Sequence, residues 1–197
     1  MKMFKNLIIV IFFFCLTIIA CNQKPVNKPK GYFKIDLPQH QYQVFNQVGY
    51  PYSFEYPIYA KVIKDTSFFG EATENPWWIN IDFPTMGGKI YCSYKEIGKY
   101  KLDSLLRHSF RLSDAHSSKA SSKEDSLLTT PNNVHGMLFQ LGGNVATANQ
   151  FFVTDSSKHF LRGALYFDAS PNEDSLKVVN DFLLQDMRHL ISTLKWK

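Results

Sequence analysis

Hydrophobic and polar positions along this 197-residue chain fall into three regimes. The first is an unbroken apolar run over residues 7–20, preceded by Lys2 and Lys5 and ended by Cys21. A charged start, a short apolar core and a small residue before the break form the pattern of a secretory signal peptide. The run is fourteen residues long, short of the roughly 17–25 that cross a bilayer. The second regime alternates apolar and polar residues and predicts short strands over 31–38, 43–45, 52–56, 60–63, 77–83 and 89–94. Pro, Gly or polar residues separate them, and Gly87-Gly88 turns the chain into the last.

From Leu102 the period becomes helical. Leu102, Leu105, Leu106, Ser109, Phe110 and Ser113 share one face of a helix that fades near His116. The small polar stretch 117–126 then reads as a loop or a solvated helix end. Strands over 134–141, 146–154 and 160–167 follow, turning at Gly142-Gly143 and at 155–158, as an antiparallel meander. Ser170-Pro171-Asn172-Glu173-Asp174 opens a long helix to about Leu194. Its stripe of Leu176, Val179, Phe182, Leu183, Met187, Leu190, Ile191 and Leu194 must lie on the sheet. The predicted class is α+β: an antiparallel sheet packed by an internal helix and a long C-terminal helix.

The tetrad Ile18-Ile19-Ala20-Cys21 resembles the lipobox of bacterial lipoproteins. In that class the cysteine sulfur receives a diacylglyceryl group, cleavage falls just before it, and the new N-terminus is acylated, with palmitate a typical chain. One acyl chain binds a membrane only marginally, whereas two or three hold permanently. An uncleaved anchor or a plain signal peptide is the other reading. The division is then 1–20 as signal, 21–30 as lipidated N-terminus and Pro-containing tether, and 31–197 as one domain.

Composition adds exclusions. Net charge is +5 and falls to +3 once Lys2 and Lys5 leave with the signal. With no basic block, that balance predicts no nucleic-acid partner. Of three cysteines, Cys15 lies in the signal and Cys21 is the lipidation candidate, so Cys92 is alone and is expected to be buried.

No catalytic assignment emerges. Gly-x-Ser-x-Gly, His-Glu-x-x-His and Cys-x-x-Cys are absent. His108 and His116 share a helical face but sit about 12 Å apart, too far for one metal ion. Neither metal nor cofactor is expected. Asp82, Glu96 and Asp168 could be drawn as paired acids but read as strand-edge or turn residues. Trp77 and Trp78 are the candidate interaction surface. Neighbours on a strand point opposite ways, so one can be core while the other meets a partner or a sugar, or both can be core.

The lipobox, the segments 28–38, 50–55, 77–84 and 89–95, and the later 154–167 together resemble the gliding-motility lipoprotein GldD family of Bacteroidota. The resemblance covers essentially the whole mature chain. It implies a non-enzymatic envelope lipoprotein needed for gliding. Its partners would be membrane lipid through Cys21 and other gliding and type IX secretion envelope proteins, which it assembles or stabilises. A glycan- or small-ligand-binding envelope module is the alternative. No Asp or Glu run follows Cys21; in lipoproteins of that phylum such a run resembles a surface-export signal, so a periplasm-facing position is expected. Asp103-Ser104-Leu105, Asp125-Ser126-Leu127 and Asp174-Ser175-Leu176 resemble O-glycosylation acceptors of exported proteins of the same phylum. Two of these sit at predicted helix starts, where Asp and Ser serve as caps, which leaves Ser126 as the candidate. The strand, helix, hairpins, helix order also resembles PsbP/Mog1-like α/β/α sandwiches, at the level of fold only.

Overall fold

Twelve strands and two helices follow one another in the computed structural model, which describes residues 34–68 and 70–197. The signal 1–20, Cys21 and the tether lie outside the described residues. In chain order the elements are β1 (Tyr42–Phe45), β2 (Tyr52–Pro57), β3 (Lys61–Lys64), β4 (Ser67–Phe68), β5 (Glu71–Ala72), β6 (Ile79–Phe83) and β7 (Gly88–Glu96). After them come α1 (Leu102–Ser117), β8 (Ser122–Thr130), β9 (Val134–Gly142), β10 (Asn149–Thr154), β11 (His159–Phe167), α2 (Glu173–Thr193) and β12 (Lys195–Trp196). Residues Ile35–Lys197 form one compact unit.

Seven strands make the main sheet in the order β3-β6-β7-β11-β10-β9-β8, every neighbouring pair antiparallel. β1, β2 and β12 make a separate three-stranded sheet. The class is α+β, as the change of period indicates. α2 places Val179, Phe182, Leu183, Met187, Leu190 and Ile191 in one core with Ile79, Ile81, Ile90, Tyr94, Leu161 and Leu165 of the large sheet. Phe45, Tyr52 and Phe54 of the small sheet close the same core. α1 covers the opposite face with a smaller cluster of Leu105, Phe139, Phe152 and Phe160. β10 is buried along its whole length because it lies between the two cores.

Glycine is required at a turn and at a close approach. Gly87 turns β6 into β7 at φ 59°, in the left-handed region. Gly163 sits opposite Phe151 on β10, and a Cβ there would lie 2.2 Å from the Phe151 ring. The bare backbone lets that ring lie flat over β11.

The short strands β4, β5 and β12 and the separation of the small sheet were not expected from the sequence, and four further features differ. Residues 34–40 form no strand: the segment finds no backbone ladder and is held by side chains, Leu37 packing on the core and His40 bonded to α2. The polar stretch read as loop or helix end contains the start of β8, whose first four residues are exposed. β8 is an edge strand, ordered by pairing with β9 along Ser122–Thr130, and its exposed first half carries no alternation to read. The strand expected over 77–83 starts only at Ile79, with Trp77 in a turn. The strand expected over 146–154 starts only at Asn149.

Candidate functional site

The two tryptophans belong to a knot of aromatic packing. Asn75 ties the turn: its Oδ1 accepts from the Trp77 backbone N–H at 3.0 Å and its Nδ2 donates to the Tyr94 carbonyl at 2.8 Å. Trp78 is buried, and its Nε1 donates to the same carbonyl at 2.9 Å. Trp77 is half-buried, its Nε1 donates to the Gly49 carbonyl at 2.7 Å, and its ring meets Tyr94 edge-on. Both indole N–H groups are thus committed within the protein, and Trp77 keeps only part of its face toward solvent. The aromatic residues of β2 and the preceding Tyr50 behave alike: Tyr52 and Phe54 are core, and Tyr50 and Tyr56 pack against it.

Ser126 lies on β8, half-buried, on the same side of the strand as Leu128, with Oγ 3.5 Å from Glu124 Oε1. The two related tripeptides do sit in first helical turns. Asp103 bridges Arg107 at 2.8 Å in α1, and Asp174 follows the α2 cap Asn172, whose Oδ1 accepts from the Ser175 N–H. Cys92 is buried and free, and burial pushes its thiol up to about 12. His108 and His116 do not converge: His108 meets Arg111, and His116 meets the Tyr166 hydroxyl at 3.3 Å. Asp82 is bridged to Lys89 at 3.7 Å. Among the described residues no three His, Cys, Asp or Glu side chains gather as a metal-binding group, and no helix is long and apolar enough to cross a membrane.

Two buried polar clusters escaped the sequence reading. The first centres on Asp186 of α2, 2% exposed. Its Oδ1 receives His40 Nδ1 at 2.7 Å and the Tyr42 hydroxyl at 3.1 Å, and its Oδ2 receives the Tyr59 hydroxyl at 2.6 Å. Burial first, then the charge of Asp186 and the hydrogen bond to it, push the Tyr42 phenol up to about 12. Burial, then its hydrogen bond to Asp186, pushes Tyr59 higher still, so both remain donors. One helical turn on, His189 Nε2 meets Glu55 Oε2 at 2.7 Å, and a further turn on Thr193 Oγ1 accepts from the Glu55 N–H at 3.0 Å. Asp186, His189 and Thr193 therefore form a polar seam along α2 that binds the small sheet and the segment that precedes β1. The helical spacing of these three polar residues beside the apolar stripe was the available signal. Their partners, more than 120 residues away, were not visible.

The second cluster lies under α1. Arg162 of β11 points to the α1 side of the sheet, half-buried, and its Nη2 donates to Gln150 Oε1 on β10 at 2.6 Å. Buried Ser109 and Ser113 of α1 face the sheet from above, where longer side chains would have filled the space. Near the same layer Asp155 shapes the β10–β11 turn. Burial acts to raise its pKa, but the backbone N–H groups of His159, Lys158 and Ser157 outweigh that and hold the carboxyl at about 2.

The gliding motility lipoprotein GldD family matches this chain over residues 22–196. No curated protein sequence matches it. Among solved structures, the solution structure of cyanobacterial PsbP (CyanoP) from Synechocystis sp. is similar to this chain at 14% identity and a TM-score of 0.43, over 87% of this chain and 99% of that one.

Proposed function

This chain belongs to the gliding-motility lipoprotein GldD family, and from that premise we propose that it is a non-enzymatic assembly or stabilising component of the gliding and type IX secretion machinery of a Bacteroidota envelope. The observation that carries the reading is the extent of the family match, which begins at residue 22 and runs through 196. It starts directly after Cys21, the residue the lipobox-like tetrad marks for acylation. In this reading the signal 1–20 is cleaved, and Cys21 takes the diacylglyceryl group and a further acyl chain such as palmitate. The tether then holds the domain at a membrane, facing the periplasm. Several acyl chains give an anchor that does not exchange on the timescale of assembly. The partners are membrane lipid and neighbouring envelope proteins of the machinery. The many polar ties between α2 and the small sheet support a rigid body at the end of the tether, which suits a scaffold.

Replacement of Cys21 by alanine in cells tests the anchor and the role together. The wild-type protein is expected to sediment with membranes and the Cys21→Ala protein to stay soluble, with gliding and export of type IX cargo lost in parallel. Normal gliding and export by a soluble Cys21→Ala protein would sink the reading. Loss of gliding with unimpaired export would detach the protein from secretion and leave it to motility alone.

A further inference from the structure

The large sheet is incompletely covered on the α1 side. A cleft of about 420 Å³ opens between α1, β7 and β11, with Trp78 and residues 71–74 along its edge. That volume is in the range of small-ligand sites, roughly 300–1,000 Å³. Leu105, Leu112, Phe160 and Trp78 supply apolar wall, and Arg162 lies among them.

The charge of Arg162 is unbalanced. A guanidinium stays ionised in proteins, yet Arg162 has no carboxylate partner among the described residues; its hydrogen bond goes to the neutral Gln150 amide. His108, His116, Tyr166 and Cys92 are the groups that feel its charge, and none is an anion at neutral pH. Three acids stand along the edge of the cleft, Asp65, Glu71 and Glu74, and none bridges to Arg162. Glu74 is taken by Lys95 at 2.6 Å and 2.8 Å and by the Tyr100 hydroxyl at 2.6 Å, while Asp65 accepts from the Ser67 N–H.

Gln150 is a second, separate sign. It is 1% exposed, and its Nε2 has no hydrogen-bond partner. Turning the amide over would set Nε2 against the guanidinium, donor to donor, so Arg162 dictates the orientation that leaves the NH₂ bare. A partly desolvated cation and a buried donor without an acceptor thus adjoin each other. Each costs free energy unless an acceptor arrives; of the two, Arg162 lines the cleft and, as the cation, costs more.

We infer that this cleft binds a small ligand with one anionic group, a carboxylate, received at Arg162, and an apolar body laid along Trp78, Leu105 and Phe160. A planar carboxylate matches the two-pronged donor face of a guanidinium. The inference is independent of the anchored assembly role, since an anchor mutant retains the cleft.

The experiment titrates the purified lipoprotein with 3-phenylpropionate and, separately, with its neutral amide, 3-phenylpropionamide, following backbone amide shifts by NMR. The expected result is saturable binding of the carboxylate, at least about tenfold tighter than the amide. Shifts should be centred on residues 91–95, 105–112 and 160–164, and the preference should vanish in Arg162→Gln. If Arg162→Gln does not fold, the carboxylate-to-amide ratio and the shift map of the wild-type protein decide alone. Equal affinity for the two probes, shifts centred elsewhere, or no binding at millimolar concentrations of either would overturn the inference.

Discussion

Asp186 and Arg162 are charges withdrawn from water on opposite sides of the same sheet, and their surroundings differ. On the α2 side, Asp186 is met by two phenols and an imidazole, and six other residues of the helix are buried around it. On the α1 side, Arg162 meets one neutral amide under a helix that buries only Leu105, Ser109 and Ser113. A complete set of partners turns a buried charge into a structural tie; an incomplete set leaves it available to something from outside. The α2 side therefore carries the tighter packing and the docking of the segment before β1, while the α1 side keeps a charge without a full set of partners.

Three measurements can break or sharpen this contrast. The largest effect is expected from shaving the two cores. Leu183 is fully buried and its Cδ1 would lie 2.9 Å from a Cβ at Gly88, so the site is tight, and Leu183→Ala should cost about 4–5 kcal/mol in urea unfolding. Leu105→Ala beside the open cleft should cost about 2–3 kcal/mol, because water can enter the space it leaves. Equal losses at the two positions would erase the distinction between the faces.

A smaller loss is expected from the Asp186 cluster. Asp186→Ala leaves two hydroxyls and an imidazole without their acceptor and should cost about 2–3 kcal/mol. Tyr59→Phe removes one donor and should cost about 1 kcal/mol. A double-mutant cycle should return a clear coupling between the two, and strict additivity would show that the seam is not a tie.

The smallest effect belongs to the other side. Replacing the cation and its amide together, Arg162→Met with Gln150→Leu, should change stability by no more than about 1 kcal/mol, in either direction, because no satisfied ion pair is lost. A loss of several kcal/mol in thermal unfolding would make Arg162 a structural element and end the argument for a vacant acceptor position.

Periodicity is a local property, and what depended on it was legible. The α2 stripe read from sequence matches the buried residues Val179, Phe182, Leu183, Met187, Leu190 and Ile191, and the α1 face already named Leu105, Ser109 and Ser113. The turns at Gly87 and after Thr154 were visible from their residue types, and the burial of Cys92 followed from its isolation. β8 was missed because the exposed first half of an edge strand has no buried face to impose alternation. The strand expected over 31–38 fails across its described part for the opposite reason: alternation was present, but the segment is held by the side chains of Leu37 and His40 and pairs with no strand. Trp77 and Trp78 were singled out for their size and adjacency; whether those rings met a partner or the core depended on Asn75, Gly49 and Tyr94 folding around them.

The sequence by itself determined the class of the fold, the positions of both helices and of the central strands, and the resemblance that the family match bears out. Each of these rests on neighbours in the chain, where spacing translates directly into geometry. The tertiary structure alone decided which charges are satisfied. Asp186 and Arg162 look equally ordinary in the sequence, one on a helix and one on a strand. The difference arises because His40, Tyr42 and Tyr59 reach Asp186 from 127 to 146 positions away, while no carboxylate among the described residues reaches Arg162. Electrostatic balance depends on distance in space, and only the folded chain sets that distance.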